Sequence, residues 1–359
     1  PPDGHNSVSS ISGSEAVRIE SSAPIQTLDG ICRELLRSFE SDRYRESFAF
    51  IDHLQPLART NPLVAVLDSM ATQMVSNRDK DRISIAYPEV PDFERLSQFK
   101  IWRARDNSML PEIDLDAVYG FLDEHDNLPL NMERIYILGL DADDSPVMRK
   151  RSLRDYLVCE LDYNEQTYIL SLGSWYETDR TYARRLQQQV DLIQDVTDQY
   201  RMPAMLRGER EDAYNARVAH EKQWLLLDKK LYRPAQSSDR VEICDLLTQD
   251  SEFICVKRMT SSATLSHLFS QGSVSATLLK EEPTYQDAIM ENAQNMWPEW
   301  SLAPSPLFVF ALPTKKPGPL SESLFFFSKV NLVAHKRAIA RLGYRVALCY
   351  PVSQSGNCP

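Results

Sequence analysis

The chain has 359 residues, a formal net charge of −11, and a composition 43% hydrophobic and 25% charged. That length suggests two or three domains, and those fractions exclude a mostly disordered chain, a collagen-like repeat and a coiled-coil rod. The acidic balance argues against a general polyanion binder, and no apolar run approaches the ~18 residues that cross a bilayer, so no membrane association is expected.

Residues 1–24, rich in Ser, Gly and Pro, read as a flexible lead-in. No basic segment followed by an apolar one opens the chain, so no secretory signal is expected, and the abrupt Pro-Pro start suggests the downstream part of a longer protein. A helical pattern begins near Thr27, with Ile31, Leu35, Leu36 and Phe39 on one face. Residues 63–74 read as a second helix through Val64, Leu67, Met70 and Met74. Residues 99–103 and 134–139 read as strands, and 113–122 as a short helix. The segments 156–162 and 167–172 form a hairpin turning at Asn164 and Glu165. A long amphipathic helix over 181–199 follows, with Leu186, Val190 and Ile193 inward.

Beyond residue 200 the expected elements are a helix (209–222) and strands at 224–232, 241–248 and 253–258. A helix over 262–279, interrupted near Gly272, comes next. A helix (285–297), a strand (307–312), a basic helix within 324–342 and a strand (344–350) complete the chain. The order α-β-β-β-α-α-β-α-β describes an α/β domain with a mixed sheet. The expected organisation is therefore a lead-in (1–24), an acidic α+β region (25–199) and an α/β domain (200–359).

Charge follows the same division. Residues 1–200 carry 21 Lys and Arg against 35 Asp and Glu, a balance of −14, whereas residues 301–359 carry seven basic residues against Glu322 alone. Nucleic acid is thus expected to contact the C-terminal half, and the acidic half either guards that surface, binds a basic protein partner or is merely solvated. The run from Lys329 to Arg345 could track a phosphate backbone, although a solvated helix face is the default for so few charges. The six cysteines show no CxxC and no zinc-like spacing, which reads as reduced, mostly buried thiols in a cytoplasmic protein.

Two neighbouring strands carry the chemistry. Asp245 lies in VEICDLL, and Cys255 and Lys257 share a strand face in FICVKR. An acid on one strand followed by x-any-Lys on the next resembles the PD-(D/E)xK superfamily of restriction-endonuclease-like nucleases, and the flanking helices match that superfamily's core order. The resemblance implies a restriction-endonuclease-like fold for the C-terminal half. It also implies a Mg²⁺ or Mn²⁺ ion held by Asp245, and Lys257 positioning the attacking water or leaving oxygen. The departure is Cys255, where that superfamily has an acid and where a thiol suits magnesium poorly. Glu242 and Asp228 could supply a migrated carboxylate, but in a regular strand Glu242 and Asp245 would face opposite sides.

Glu211 and Asn215, four apart on the preceding helix, share a face that could reach the same cleft, with Glu211 a second metal ligand. The segment after the Lys strand offers Ser262 as a helix cap, and Ser261 and Ser262 as phosphate contacts at the helix start. His267 and Gln271, four apart, would touch the scissile strand, although a lone His is more often structural. Lys229, Lys230 and Arg233 lie beside the strand pair as further substrate contacts.

The strings LSLGSWYETD, EDAYN, LLDKKL, VEICDLL, FICVKR and SSATLSHLFSQGSVSA together resemble a sporadically distributed, functionally uncharacterised family of microbial proteins. That resemblance implies a non-acidic residue at the Cys255 position as a family trait, a longer N-terminus, and a patchy distribution of the kind seen for genome or phage defence. The expectation is a divergent metal-dependent nuclease acting on DNA or RNA. The alternative is a catalytically silent nucleic-acid-binding or protein-interaction module on the same fold.

Overall fold

Apolar residues recurring every three to four positions in residues 62–76, and every second position in residues 98–103, give this chain a helix and then a strand with one buried face each. The structure, a computed structural model, describes residues 8–13, 17–21, 24–45, 49–80, 82–89, 95–125, 129–206, 208–234, 240–259, 262–314 and 318–351. It falls into two units, Pro1–Asp52 and His53–Pro359.

In the first unit, β1 (Val8–Gly13) and β2 (Val17–Ser21) pair antiparallel, and helix α1 (Leu28–Glu40) follows. The helix predicted from Thr27 is present, but its apolar stripe is incompletely covered: Ile31 and Leu35 are half-buried, whereas Leu36 and Phe39 are exposed, Phe39 at 87%.

The second unit begins with β3 (Leu54–Pro56) and α2 (Pro62–Ser76). Asn61 caps α2 by accepting the Leu63 N–H at 3.0 Å, and Pro62 occupies the first turn, where no N–H is needed. Val64, Leu67 and Met74 are buried, as their spacing predicts. After β4 (Ile83–Ile85) come β5 (Gln98–Arg103), β6 (Asp106–Leu110), helix α3 (Leu115–Glu124), β7 (Ile135–Leu140) and β8 (Arg151–Ser152). They form an antiparallel sheet of order β6-β5-β7-β8. The short helix α4 (Leu153–Tyr156) leads into the meander β9 (Leu157–Tyr163), β10 (Gln166–Ser171) and β11 (Ser174–Thr178), which with β3 and β4 make a five-stranded sheet. Asn164 and Glu165 do form the predicted turn, both at positive φ, which matches the twist of a two-residue hairpin. One apolar core, including Leu67, Val75, Ile101, Ile137 and Trp175, joins these sheets to α2 and α3.

The helix predicted over 181–199 is shorter: α5 (Arg180–Asp191) ends, and β12 (Gln194–Asp195) and the single turn α6 (Thr197–Tyr200) follow. Backbone pairing decides this, because Gln194 and Asp195 add an edge to the C-terminal sheet. Helix α7 (Glu211–Lys222) precedes β13 (Leu225–Leu226), β14 (Leu231–Tyr232), β15 (Val241–Glu242), β16 (Leu246–Leu247) and β17 (Glu252–Val256). Helices α8 (Ser262–Glu281) and α9 (Pro283–Gln294), strand β18 (Leu307–Ala311), the short α10 (Leu320–Ser323), helix α11 (Phe326–Arg341) and β19 (Arg345–Cys349) complete the chain.

The C-terminal sheet runs β12-β19-β18-β17-β16-β13. Strands β13, β16 and β17 alternate in direction, whereas β17, β18, β19 and β12 are parallel. The VEICDLL and FICVKR segments are therefore sheet neighbours, with Leu246 opposite Ile254. Two segments predicted as continuous strands are each divided, 224–232 into β13 and β14 and 241–248 into β15 and β16. Their outer parts pair as a separate ribbon, Leu231 opposite Glu242. The chain is a mixed α/β protein, and among the described residues no helix is long and apolar enough to cross a membrane.

Helix α8 runs unbroken through Gly272, against the predicted interruption. Close approach explains the glycine: a Cβ there would lie 2.6 Å from the ring of Phe310, which is fully buried on β18. Gly272→Val is expected to destabilise the protein by about 1–3 kcal/mol through overpacking, read as a lower denaturant midpoint at unchanged slope.

Candidate metal centre

The division of the 241–248 strand builds the site. Strand parity would hold Glu242 and Asp245 on opposite faces, but Ile243, Cys244 and Asp245 belong to neither β15 nor β16, so the alternation is interrupted between them. The N–H groups of Leu227 and Asp228 both bond the Asp245 carbonyl, which brings Asp228 to the same place. Carboxylate oxygens of Asp228, Glu242 and Asp245 consequently lie within 4.8 Å of one another. The opposite-face expectation for Glu242 is corrected by this break.

Each acid is held. Asp245 is buried, its Oδ2 accepting the Val256 N–H at 2.7 Å and its Oδ1 accepting from Asn215 Nδ2 at 3.2 Å. Glu242 accepts the Lys229 N–H at 2.6 Å and the Gln271 amide at 3.1 Å. Lys229 sits at φ 62°, a left-handed turn that points its amide back to this carboxylate. Burial pushes Asp245 up to about 8, with the Val256 amide opposing the rise and Glu242 and Asp228 adding to it. Burial also raises Glu242, partly offset by the Lys229 amide, and the neighbouring Asp228 carboxylate raises it further. Crowded carboxylates with upward-shifted pKa values want a proton or a cation between them.

Lys257 follows β17 directly, and its Nζ meets Glu211 Oε2 at 2.9 Å. Glu211 thus stands with Lys257 rather than in the close group of three acids. Asn215, one turn along α7, grips Asp245, so the shared face read from the i, i+4 spacing reaches this cleft at both ends. His267 and Gln271 lie one turn apart on α8. Partial desolvation and the Lys257 charge lower the His267 pKa, leaving it neutral at pH 7. Cys255 is buried beside Asp245, and desolvation pushes its thiol well above the usual range, which favours the neutral thiol.

The remaining predicted contacts are more peripheral. Lys229 Nζ pairs with Asp212 at 2.9 Å, Lys230 Nζ bonds Asn292 at 2.8 Å, and Arg233 is exposed just past β14. Ser262 is the first residue of α8, and Ser261 lies outside the described residues. Two residues of the basic α11 are tied to α5: Lys329 bonds Gln187, and the exposed Arg337 bonds Gln189.

Glu112, on the loop before α3, went unnoticed in the sequence. Burial and Asp114 raise its pKa, the Lys257 charge pulls it down, and Glu211 and Arg258 also act on it. The acidic half therefore places a carboxylate within electrostatic reach of Lys257. A single Glu between a proline and an isoleucine carries no sequence signal of such a position.

The donor set fits a hard divalent cation. It is all oxygen, three carboxylates converge, and the buried Oδ1 of Asn215 has no hydrogen-bond partner among the described residues. Fold and site define a mixed α/β protein with an acidic, lysine-flanked centre at the end of its C-terminal sheet. The chain belongs to a family of unknown function, DUF6119, whose model matches residues 1–351. No curated protein and no solved structure matches it.

The Asp245 shift gives two linked expectations. Because its folded pKa lies above the ordinary value near 4, its contribution to stability is full below that value and is lost as pH rises to about 8. Without divalent cations, Asp245→Asn should therefore raise Tm at pH 8 relative to the native chain. Mn²⁺ affinity of the native chain should climb by up to about tenfold per pH unit below pH 8, with proton release in calorimetry, and Asp245→Asn should flatten that slope.

Proposed function

We propose that the chain is a divergent metal-dependent nuclease whose centre is Asp228, Glu242, Asp245 and Lys257. The observation that carries this reading is the convergence of the three carboxylates near Lys257, with Asp245 immediately before β16, the strand beside the one that Lys257 follows. Helix α7 is followed by three strands of the six-stranded sheet (β13, β16 and β17), then by helices α8 and α9 and by β18, an order that supports a restriction-endonuclease-like core. Asp228 and Glu242 make up for the acid missing at Cys255.

Asp228, Glu242 and Asp245 would hold Mg²⁺ or Mn²⁺, which when bound supplies Lewis acidity to offset charge on a phosphodiester. The chain's own groups do the rest. Asn215 and the Val256 amide orient Asp245, and Gln271 and the Lys229 amide orient Glu242. Lys257 presents an ammonium to the phosphate, for which it must leave Glu211. His267 would offer a hydrogen bond to the substrate strand, and Lys229, Lys230 and Arg233 would add phosphate contacts, for which Lys229 must leave Asp212 and Lys230 must leave Asn292.

One observation favours the rival reading, a silent binding module: the Lys257 ammonium is already paired with Glu211. Incubation of single- and double-stranded DNA and RNA with Mg²⁺ or Mn²⁺ separates the two. Cleavage is expected, with Asp245→Asn and Lys257→Ala each lowering the rate by at least about a hundredfold, the range of a lost charge-stabilising group. Cleavage that survives both substitutions removes these residues from the chemistry, and absence of cleavage on every substrate leaves the module.

A further inference from the structure

We infer that the open face of the sheet β6-β5-β7-β8 binds single-stranded nucleic acid by base stacking. Alternation along β5 turns Phe99, Ile101 and Arg103 into the core and leaves Gln98, Lys100 and Trp102 on the other face. Register places Tyr136 of β7 and Asn107 of β6 opposite Trp102, on its two sides. The Trp102 and Tyr136 rings lie 5.6 Å apart at 36°, and Lys150 Nζ stands 4.8 Å over the Tyr136 ring. A depression of about 480 Å³ continues the face past Lys100 and Gln98, floored by Leu138 and Met109.

This arrangement combines what an unpaired strand needs. Trp102 offers a π-face to a base, and the neighbouring Tyr136 ring does so once Lys150, which stands over it, turns to a phosphate. Lys100 and Lys150 flank them with positive charge in a half of the chain that is otherwise strongly acidic, and their charge complements phosphate. Gln98 and Asn107 add polar side chains able to meet base edges, and Gln98 already donates to Asp144 at 2.7 Å. A duplex keeps its base faces stacked on one another and cannot use such a surface. The depression is open, its lining includes Asp144, which Gln98 engages, and Lys100 is the one cationic side chain among its described lining residues.

The inference stands apart from the metal centre and is tested without it. Fluorescence anisotropy of the full chain in EDTA, with dye-labelled oligo(dT) and oligo(U) of about twelve nucleotides and a duplex of equal length, reads binding with no turnover. Trp102→Ala and Tyr136→Ala should each weaken single-strand binding on the order of tenfold, and Trp102→Phe should retain most of it. Lys100→Glu with Lys150→Glu, exposed or half-exposed changes that keep the fold, should weaken it and flatten its salt dependence. Unchanged single-strand affinity in the double lysine variant, affinity for duplex equal to that for single strands, or no single-strand binding by the native chain would each overturn the inference. Nucleic-acid binding that survives in EDTA and maps to Trp102 holds even if no cleavage is ever found.

Discussion

Taking the Asp245 carboxylate out of water constrains everything around it. A buried carboxyl group is tolerable only when its oxygens are bonded and its charge is neutralised or shared. Here the Val256 amide takes one oxygen and Asn215 the other. The first bond fixes β17 against the segment that carries Asp245, and the second fixes α7 against the sheet. The Asp245 carbonyl in turn collects the amides of Leu227 and Asp228, which ends β13 and starts the turn toward β14. Glu242 and Asp228 are thereby forced close to a group that already resists ionising, and the excess negative charge makes the place receptive to a cation.

The two faces of the C-terminal sheet answer this constraint differently. Toward α7, the sheet packs Leu246, Ile254, Val256, Val309 and Ala347 against Tyr214 and Val218. On β17 and β18, Phe253 stacks on Phe308, and Phe310 meets Phe269 of α8 edge to face. Cys255 lies buried in this sheet as a small hydrophobe, which accounts for a thiol at a position next to acids: a carboxylate there would be a second fully buried one beside Asp245 and would need its own bonds.

Elements with a strong period were legible before the structure: α2, the β9–β10 hairpin with its Asn164-Glu165 turn, β18 and β19. What the sequence concealed depends on bonds between distant segments. Nothing within residues 224–232 announces that the amides of Leu227 and Asp228 will turn toward a carbonyl seventeen or eighteen positions on. Apolar runs such as WLLLDKKLY therefore look like one strand when they are two. Gly272 misled in the opposite sense, since helix propensity argues for a break and contact with Phe310 argues for the glycine. At the centre, Asp245, Glu242 and Lys257 were identifiable from residue type and spacing. Their convergence was not, because two-residue parity predicts divergence and only an irregular strand reverses it.

The placement of β19 between β18 and β12 also orders events during synthesis. β12 leaves the ribosome about 150 residues before its partner, and β18 exposes an unpaired edge until residues 345–349 emerge. The residues from Glu211 to Lys257 are all out by then and able to meet one another, so the acidic centre can assemble on a half-finished sheet. Closure waits for the final strand, whose backbone joins an early edge to a late one in a single step. A polypeptide stalled or clipped before Arg345 would carry its charged cluster on an open platform, a form in which a growing chain is most exposed to mispairing with another copy of itself.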